Sequence, residues 1–381
     1  MSSGGMAQLL ARGSQDEMLT VNPQTSFFET TYKRHVNFAR VTDAQVIQGE
    51  PVAGGMSTVK FEKRGDLLNY VYITMIDLDE NLVHSVQDWR DVIEHVELYI
   101  GGSLIDSQTS EFCELIAIDT MAQNLTMSSA GGHHDGAGRL SEFYPLRFFF
   151  NGSVSSSLPL FALSLSEVEI RIYWSTQDRW NSLDADNKPM VPPHYRFEVH
   201  ANYIFLDDSE RNRILSKPIT MIVSQTQTIY SSNTNVMDLT FYHPVKYIAS
   251  SAAKYNADLK RDPTTGNYLP NELNGLCDLK TKVKLQINGE DVGDWKYAVP
   301  HYTSVMSYYH VPFDNGNYQT HFLYPFCVNT SSLQPMGALN FSRIESARLL
   351  TMGQPISGTV YAVNQNFLII KQGLAALMYA C

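Results

Sequence analysis

Runs in which β-branched and aromatic residues alternate with polar ones recur along the chain at 59–61, 70–75, 92–100, 168–174, 195–205, 283–287 and 360–370. A period of two sends successive side chains to opposite faces, so each run predicts a strand with one face turned to a core. Segments crowded with Gly, Pro, Ser, Asn and Asp separate the runs. The 3.6-residue period is weak, and the helix candidates are short: 6–11, 88–93 and 111–123. The pattern predicts an all-β chain with long loops and a few short helices.

The pattern also repeats. Val96-Glu-Leu-Tyr-Ile-Gly-Gly102 returns as Val283-Lys-Leu-Gln-Ile-Asn-Gly289, Tyr144-Pro145 as Tyr324-Pro325, and the segment from Pro159 to Glu169 as that from Pro335 to Glu345, at spacings of 187, 180 and 176. In the first pair the alternation puts Val96, Leu98 and Ile100 on one face, as it does Val283, Leu285 and Ile287. Gly-Gly and Asn-Gly supply the positive φ angles of a tight hairpin turn. A repeat of about 180 residues is too long for a solenoid or propeller unit and suits a whole sandwich domain. The expected architecture is two tandem eight-stranded jelly rolls: an N-terminal arm at 1–25, a first jelly roll at 26–214 and a second at 215–381, joined near 206–217. The expected projecting loops are 107–142, 175–194, 250–275 and 291–319.

Composition narrows the function. With 44% hydrophobic and 18% charged residues in 381, the chain is expected to fold around one large or two ordinary cores. Its 28 basic and 39 acidic residues leave a net charge of −11 with no basic block, which disfavours genome binding. The N-terminus has neither a basic start nor an apolar run long enough for a signal peptide or a span. Near the other end, 367–370 and 374–380 are split by Lys371, Gln372 and Gly373, the pattern of a buried strand and turn. Cys113, Cys277, Cys327 and Cys381 lie far apart and fit a reducing compartment. The sequons at Asn124, Asn151, Asn329 and Asn340 carry weight only on an exported route.

Candidate chemistry is sparse. A metal-binding cupin needs His-x-His on a strand with a Glu following, and no His-x-His occurs. His133-His134-Asp135 sits among glycines and is read as a solvated loop. His194 and His200 share one strand face without a carboxylate in a matching position. Gly-x-Ser-x-Gly is absent, the cysteines stand in no Cys/His pattern, and the glycines of 129–138 lack the Lys-Ser/Thr of a phosphate loop. The aromatic runs Phe148-Phe149-Phe150 and Tyr308-Tyr309 are read as core or subunit interface. No enzyme activity and no cofactor are expected. A carbohydrate-binding sandwich of the lectin kind is the alternative.

The segments Gln8-Leu-Leu-Ala-Arg-Gly-Ser-Gln-Asp16, Asn22-Pro23, Ser26-Phe27-Phe28 and Tyr32-Lys-Arg-His-Val-Asn-Phe38 resemble the opening of the major capsid proteins of nucleocytoplasmic large DNA viruses. The stretch from Val96 to Asp106, Leu158-Pro-Leu-Phe-Ala-Leu163, Leu206-Asp-Asp-Ser-Glu-Arg211, His243-Pro-Val-Lys246, Gln334-Pro335, Asn340-Phe-Ser-Arg-Ile344 and the stretch from Val363 to Tyr379 continue the resemblance in order to the last turn. Glu345 stands where that family has Asp and Gln365 where it has Tyr, and the chain is short for the group, which implies trimmed surface loops. The resemblance implies a homotrimer whose six jelly rolls form a pseudo-hexagonal capsomer of an icosahedral shell. It also implies neighbouring capsomers, minor capsid proteins and an internal viral membrane as partners, and assembly in the host cytoplasm. The apolar Met6, Leu9, Leu10, Met18 and Leu19 of the arm, with the Lys33-Arg34 pair, are the candidate lattice contacts.

Overall fold

A computed structural model of the chain describes residues 3–86, 88–123, 142–182, 189–251, 274–312 and 321–379. The chain divides into two compact units, Met1–Asn37 and Phe38–Cys381. The smaller holds helices α1, Ser3–Leu10, and α2, Ser14–Thr20, neither with a buried residue. The first strand begins only at Phe38. Residues 26–37, assigned to the first jelly roll from the sequence, therefore add no strand to it.

The larger unit contains two sandwiches in succession, each of eight principal strands with three further short strands paired to them among the described residues. The first is built from β1 (Phe38–Gln45), β2 (Met56–Lys60), β3 (Leu67–Asp77), β4 (Ile93–Ile100), β5 (Ser103–Thr109), β6 (Tyr144–Pro145), β7 (Val168–Trp174) and β8 (Tyr195–Leu206). Its sheets run β1-β8-β3-β6 and β2-β7-β4-β5, all antiparallel. The second is built from β9 (Ile219–Thr234), β10 (Val236–Asp238), β11 (Pro244–Ser251), β12 (Lys282–Ile287), β13 (Glu290–Asp291), β14 (His321–Pro325), β15 (Ala347–Met352) and β16 (Ile356–Lys371). Its sheets run β9-β16-β11-β14 and β10-β15-β12-β13. Strand for strand the two orders are the same, and that order is a jelly roll's. Between them lies α3, Asp208–Leu215, tied back by an Arg211–Asp66 ion pair at 3.0 Å.

The alternation read from the sequence sets the cores. Val96, Leu98 and Ile100 of β4 face Ile172, Ile170 and Val168 of β7, all buried, and Val283 and Leu285 of β12 are buried in the second core. Each such side chain taken from water contributes about 1.5–3 kcal/mol. The β4–β5 hairpin turns through Gly101 and Gly102 at φ 60° and 79°, the β12–β13 hairpin through Asn288 and Gly289 at 51° and 84°. Two successive positive φ angles are what the echo required. Tyr144-Pro145 and Tyr324-Pro325 also coincide, pairing with Ile73 and Tyr72 in one sandwich and with Ile248 and Tyr247 in the other. Both β3 and β11 carry a register shift at the same place against their partners.

The third echo is corrected. Leu158–Pro159 pairs with β3 at Leu68 and Leu67 and leads into a 3-10 turn, Leu160–Ala162. Its counterpart on β11 is Leu339–Asn340, followed by the turn Phe341–Arg343, and not the segment at Pro335. Backbone pairing to the sheet edge fixes equivalence, and a short apolar Pro-Leu string slides along it freely.

A helical stretch follows β5 and another follows β13. The first is Ser110–Phe112, a π turn Cys113–Ala117 and Ile118–Thr120; it begins one residue before the expected 111–123 helix and ends three before its expected end. The second is a π turn Ala298–Val305 with Met306–His310, which the sequence pattern did not announce. The expected 88–93 helix is the single turn Trp89–Val92, capped by Asp88 accepting from the Arg90 N–H at 3.0 Å. Phe148, Phe149 and Phe150 are core, whereas Tyr308 and Tyr309 are exposed. The apolar end of the chain forms the hairpin of β16 with Leu374–Leu377. Among the described residues no helix is long and apolar enough to cross a membrane. Parts of all four expected projecting loops, including His133-His134-Asp135 and Asn124, lie outside the described residues.

Candidate assembly surfaces

A sandwich strand buries one face in its own core and turns the other outward. On the second sandwich that outward face is not free. Tyr247 and Ala249 of β11 are 0% exposed and Tyr361 and Val363 of β16 are 1% exposed. What covers them is the helical stretch after β5. The Phe112 and Tyr361 rings lie 5.2 Å apart. The Tyr361 hydroxyl donates to Glu111 Oε2 at 2.9 Å and lies 2.9 Å from Thr109 Oγ1. Ser251 donates to the other oxygen of Glu111, and Tyr247 donates to Thr120 Oγ1 at 3.0 Å. A buried polar group must find a partner, and here each partner comes from the other sandwich.

Strand edges complete the junction. Asp106 accepts from the Thr226 N–H at 2.7 Å, the Ser107 N–H at 3.0 Å and the Gln108 amide at 2.7 Å, while the Gln225 amide donates to the Ile105 carbonyl at 2.6 Å. The terminal hairpin straps the far side: Leu165 N–H donates to Gly373 O at 2.9 Å and Ala375 N–H to Ser166 Oγ at 3.0 Å. Gly373 sits at φ 83°, and a Cβ there would lie 2.1 Å from Ser164 Oγ, so only glycine closes this turn.

The first sandwich has the same outward face. Pairing through β6 and β14 makes Tyr72 the equivalent of Tyr247 and Thr74 of Ala249; pairing to β8 and β16 makes Glu198 the equivalent of Tyr361 and His200 of Val363. These four stay half-buried. The Tyr72 ring stacks on His200 at 5.0 Å and meets Phe143 edge-on at 5.8 Å, and His200 Nε2 lies 3.3 Å from Glu198. Alongside runs an open groove of about 860 Å³, lined by Tyr70, Tyr72, Phe143 and Phe149 of the first sandwich and by Met221, Ile222 and Lys246 of the second. Lys246 is buried, donates to the Thr330 carbonyl at 2.7 Å and has its pKa lowered by desolvation.

Buried carboxyls cluster in the first sandwich. Burial, with the like charge of Asp88, pushes Glu114 up to about 8 and Asp91 up to about 6. Burial pushes Asp106 up to about 7 against the hydrogen bonds it accepts, which favour its charged form.

Two family descriptions match the chain in succession: "Major capsid protein N-terminus" over residues 26–207 and "Large eukaryotic DNA virus major capsid protein" over residues 210–376. The chain belongs to this major capsid protein family. The major capsid protein of Paramecium bursaria Chlorella virus 1 is 27% identical over 448 aligned residues, covering 99% of this chain and all of the relative. That of Pyramimonas orientalis virus is 27% identical over 423, covering 99% of both. Among solved structures, VP54 of PBCV-1 superposes with a TM-score of 0.76 at 22% identity over 93% of this chain and all of that one, and the Faustovirus major capsid protein with 0.63 at 10% identity over 94% of both. These likenesses establish the double jelly-roll fold.

In this capsid protein the residues singled out from sequence are scattered. Met6, Leu9, Leu10, Met18 and Leu19 lie on α1 and α2, exposed, and Lys33 and Arg34 are exposed beyond them. His194 and His200 each do have a carboxylate neighbour, contrary to expectation: His194 Nδ1 lies 3.1 Å from Asp79, His200 beside Glu198. They form two separate pairs. Among the described residues no group of three or more His, Cys, Asp or Glu is placed to hold a metal ion. Cys113, Cys277 and Cys327 are buried free thiols, and Cys381 lies outside the described residues. Sequence reasoning missed the junction. Its trace was there in β11, which apart from Lys246 is apolar, aromatic or small on both faces and is buried along nearly its whole length.

Proposed function

We propose that this major capsid protein builds the icosahedral virion shell as a homotrimer, its six jelly rolls closing into a pseudo-hexagonal capsomer. The observation that carries this reading is the strand-for-strand duplication: three copies of a chain with two like sandwiches present six like walls, so closed threefold symmetry fits a sixfold lattice site. The protein acts by assembly, without catalysis or cofactor. Its partners are its own copies in the trimer and in neighbouring capsomers, minor capsid proteins and the internal membrane, and assembly takes place in the host cytoplasm. The arm, with the apolar Met6, Leu9, Leu10, Met18 and Leu19 and the basic Lys33 and Arg34, makes lattice contacts and not trimer contacts. The two walls of each subunit lie within the domain limits proposed from sequence, 26–214 and 215–381, the strands of the first beginning at Phe38. Sedimentation and electron microscopy of the purified protein are expected to give compact pseudo-hexagonal trimers burying more than about 2,000 Å² per subunit pair. A stable folded monomer at micromolar concentration overturns the reading.

A further inference from the structure

The junction inside the chain has two halves: the helical stretch after β5, and the outward face of the second sandwich. Duplication supplies each half a second time. The helical stretch after β13 ends in Met306–His310, on which Tyr308 and Tyr309 are 69% and 72% exposed. The matching outward face is the Tyr72, Thr74, Glu198, His200 surface, of which Tyr72 and Thr74 line the aromatic groove and Glu198 and His200 pair with them on the neighbouring strand.

We propose that the Met306–His310 helix of one copy docks into the first-sandwich groove of the next copy, repeating between chains the junction that each chain makes within itself. The proposal rests on the trimer reading and names its contact surface. Three observations point to a second copy as the occupant. The groove is continuous with the intramolecular junction, because Met221 and Ile222 of the second sandwich form one wall of it. The contact is heterologous, helix to face, the kind whose head-to-tail repetition closes a ring of three when the rotation between copies is threefold. The chemistry is complementary with its roles exchanged. Within the chain the helix brings the carboxylate of Glu111 and the sheet brings the Tyr361 hydroxyl. Between chains the helix brings tyrosine hydroxyls and the sheet brings the carboxylate of Glu198, at the position equivalent to Tyr361. Tyrosine is suited to this place, with an apolar ring for the groove and a polar tip for the acid.

The test uses the full chain in sedimentation velocity, with circular dichroism to verify folding. The wild-type state tests the trimer reading by itself. Given wild-type trimers, the double variant Tyr308→Glu/Tyr309→Glu and the variant Tyr72→Glu are each expected to weaken association about 30-fold or more and to run as folded monomers at micromolar concentration. Leu279→Glu, a control at another exposed apolar residue, should remain trimeric. Mixing the helix variant with the groove variant is expected to give dimers, since the helix of the Tyr72→Glu copy still meets an intact groove on the other. Trimers from the double tyrosine variant, or a mixture that stays monomeric, would overturn the docking while leaving the trimer intact as a finding. Should Tyr72→Glu fail to fold, hydroxyl-radical labelling of wild-type trimers decides: Tyr308 and Tyr309 are expected to be protected, and labelling as full as in dissociated chains refutes the contact.

Discussion

The outward faces of the two jelly rolls descend from one design and differ in what covers them. In the second sandwich, tyrosines, alanine and valine are fully buried against a helical stretch from the first. In the first sandwich, the equivalent tyrosine, threonine, glutamate and histidine stay half-buried beside a groove. One face has become an internal core, the other remains a polar, aromatic surface. The difference teaches that two equivalent faces of a duplicated fold can be put to different use, and that chemistry at equivalent positions records which of them is covered within the chain. A face buried during folding can hold Val363; a face left half-buried in the chain keeps Glu198 and His200.

The comparison breaks most sharply at Tyr361. Tyr361→Ala removes a buried ring and takes from Glu111 one of its two donors, leaving Ser251, and is expected to cost about 3–5 kcal/mol in denaturant unfolding. Glu198→Ala, at the equivalent position, is expected to leave the unfolding free energy of the separated chain within about 0.5 kcal/mol. Equal losses at the two sites would show that the two faces do not differ as described.

A second contrast is electrostatic, because the covering helix of the first sandwich carries the buried Glu114 and the second carries no acid there. With its folded pKa raised to about 8 from an ordinary 4.5, Glu114 binds its proton more tightly in the folded chain than in the unfolded one. Its contribution to stability is therefore fullest below about pH 4.5 and is lost as pH rises through 8. Glu114→Gln keeps the shape without the charge and is expected to flatten the stability curve between pH 5 and 8, gaining on the order of a few kcal/mol at the alkaline end. Chemical unfolding across pH would measure it, and an unchanged slope would mean that Glu114 is not the group responsible.

Smaller effects follow from single hydroxyls. Tyr247→Phe loses the bond to Thr120 and is expected to cost about 1 kcal/mol, while Tyr72→Phe costs nothing measurable before assembly. The smallest effect on the free protein is expected from deleting residues 1–25, none of whose described residues is more than half-buried. The shortened chain should form trimers that melt normally yet fail to enter capsids, since ordering such an arm costs about 1 kcal/mol per residue, which only lattice contacts would offset. Normal capsid assembly by the shortened chain would remove the arm from the lattice.

Alternation, hairpin turns and repetition were determined by the sequence alone, because they depend on near neighbours: Val96, Leu98, Ile100 and Gly101-Gly102 specify a strand and its turn wherever they stand. The same local rules hid β9. Its Gln225 and Gln227 are buried polar residues, satisfied by the Ile105 carbonyl and by Tyr242 and Asn364, and they erase the apolar period of a strand that is in fact sixteen residues long. They also misled the third echo, where an apolar string at Pro335 imitated Pro159 and only pairing to the sheet edge showed Leu339–Asn340 to be the match. The junction was decided by tertiary structure. Thr109 and Tyr361 meet across 252 positions of chain, and a glutamate, two tyrosines and two threonines become hydrogen-bonded partners only when two sandwiches are brought side by side. No periodicity encodes such a contact, because its energy comes from desolvating polar groups that are partners in space and strangers in sequence.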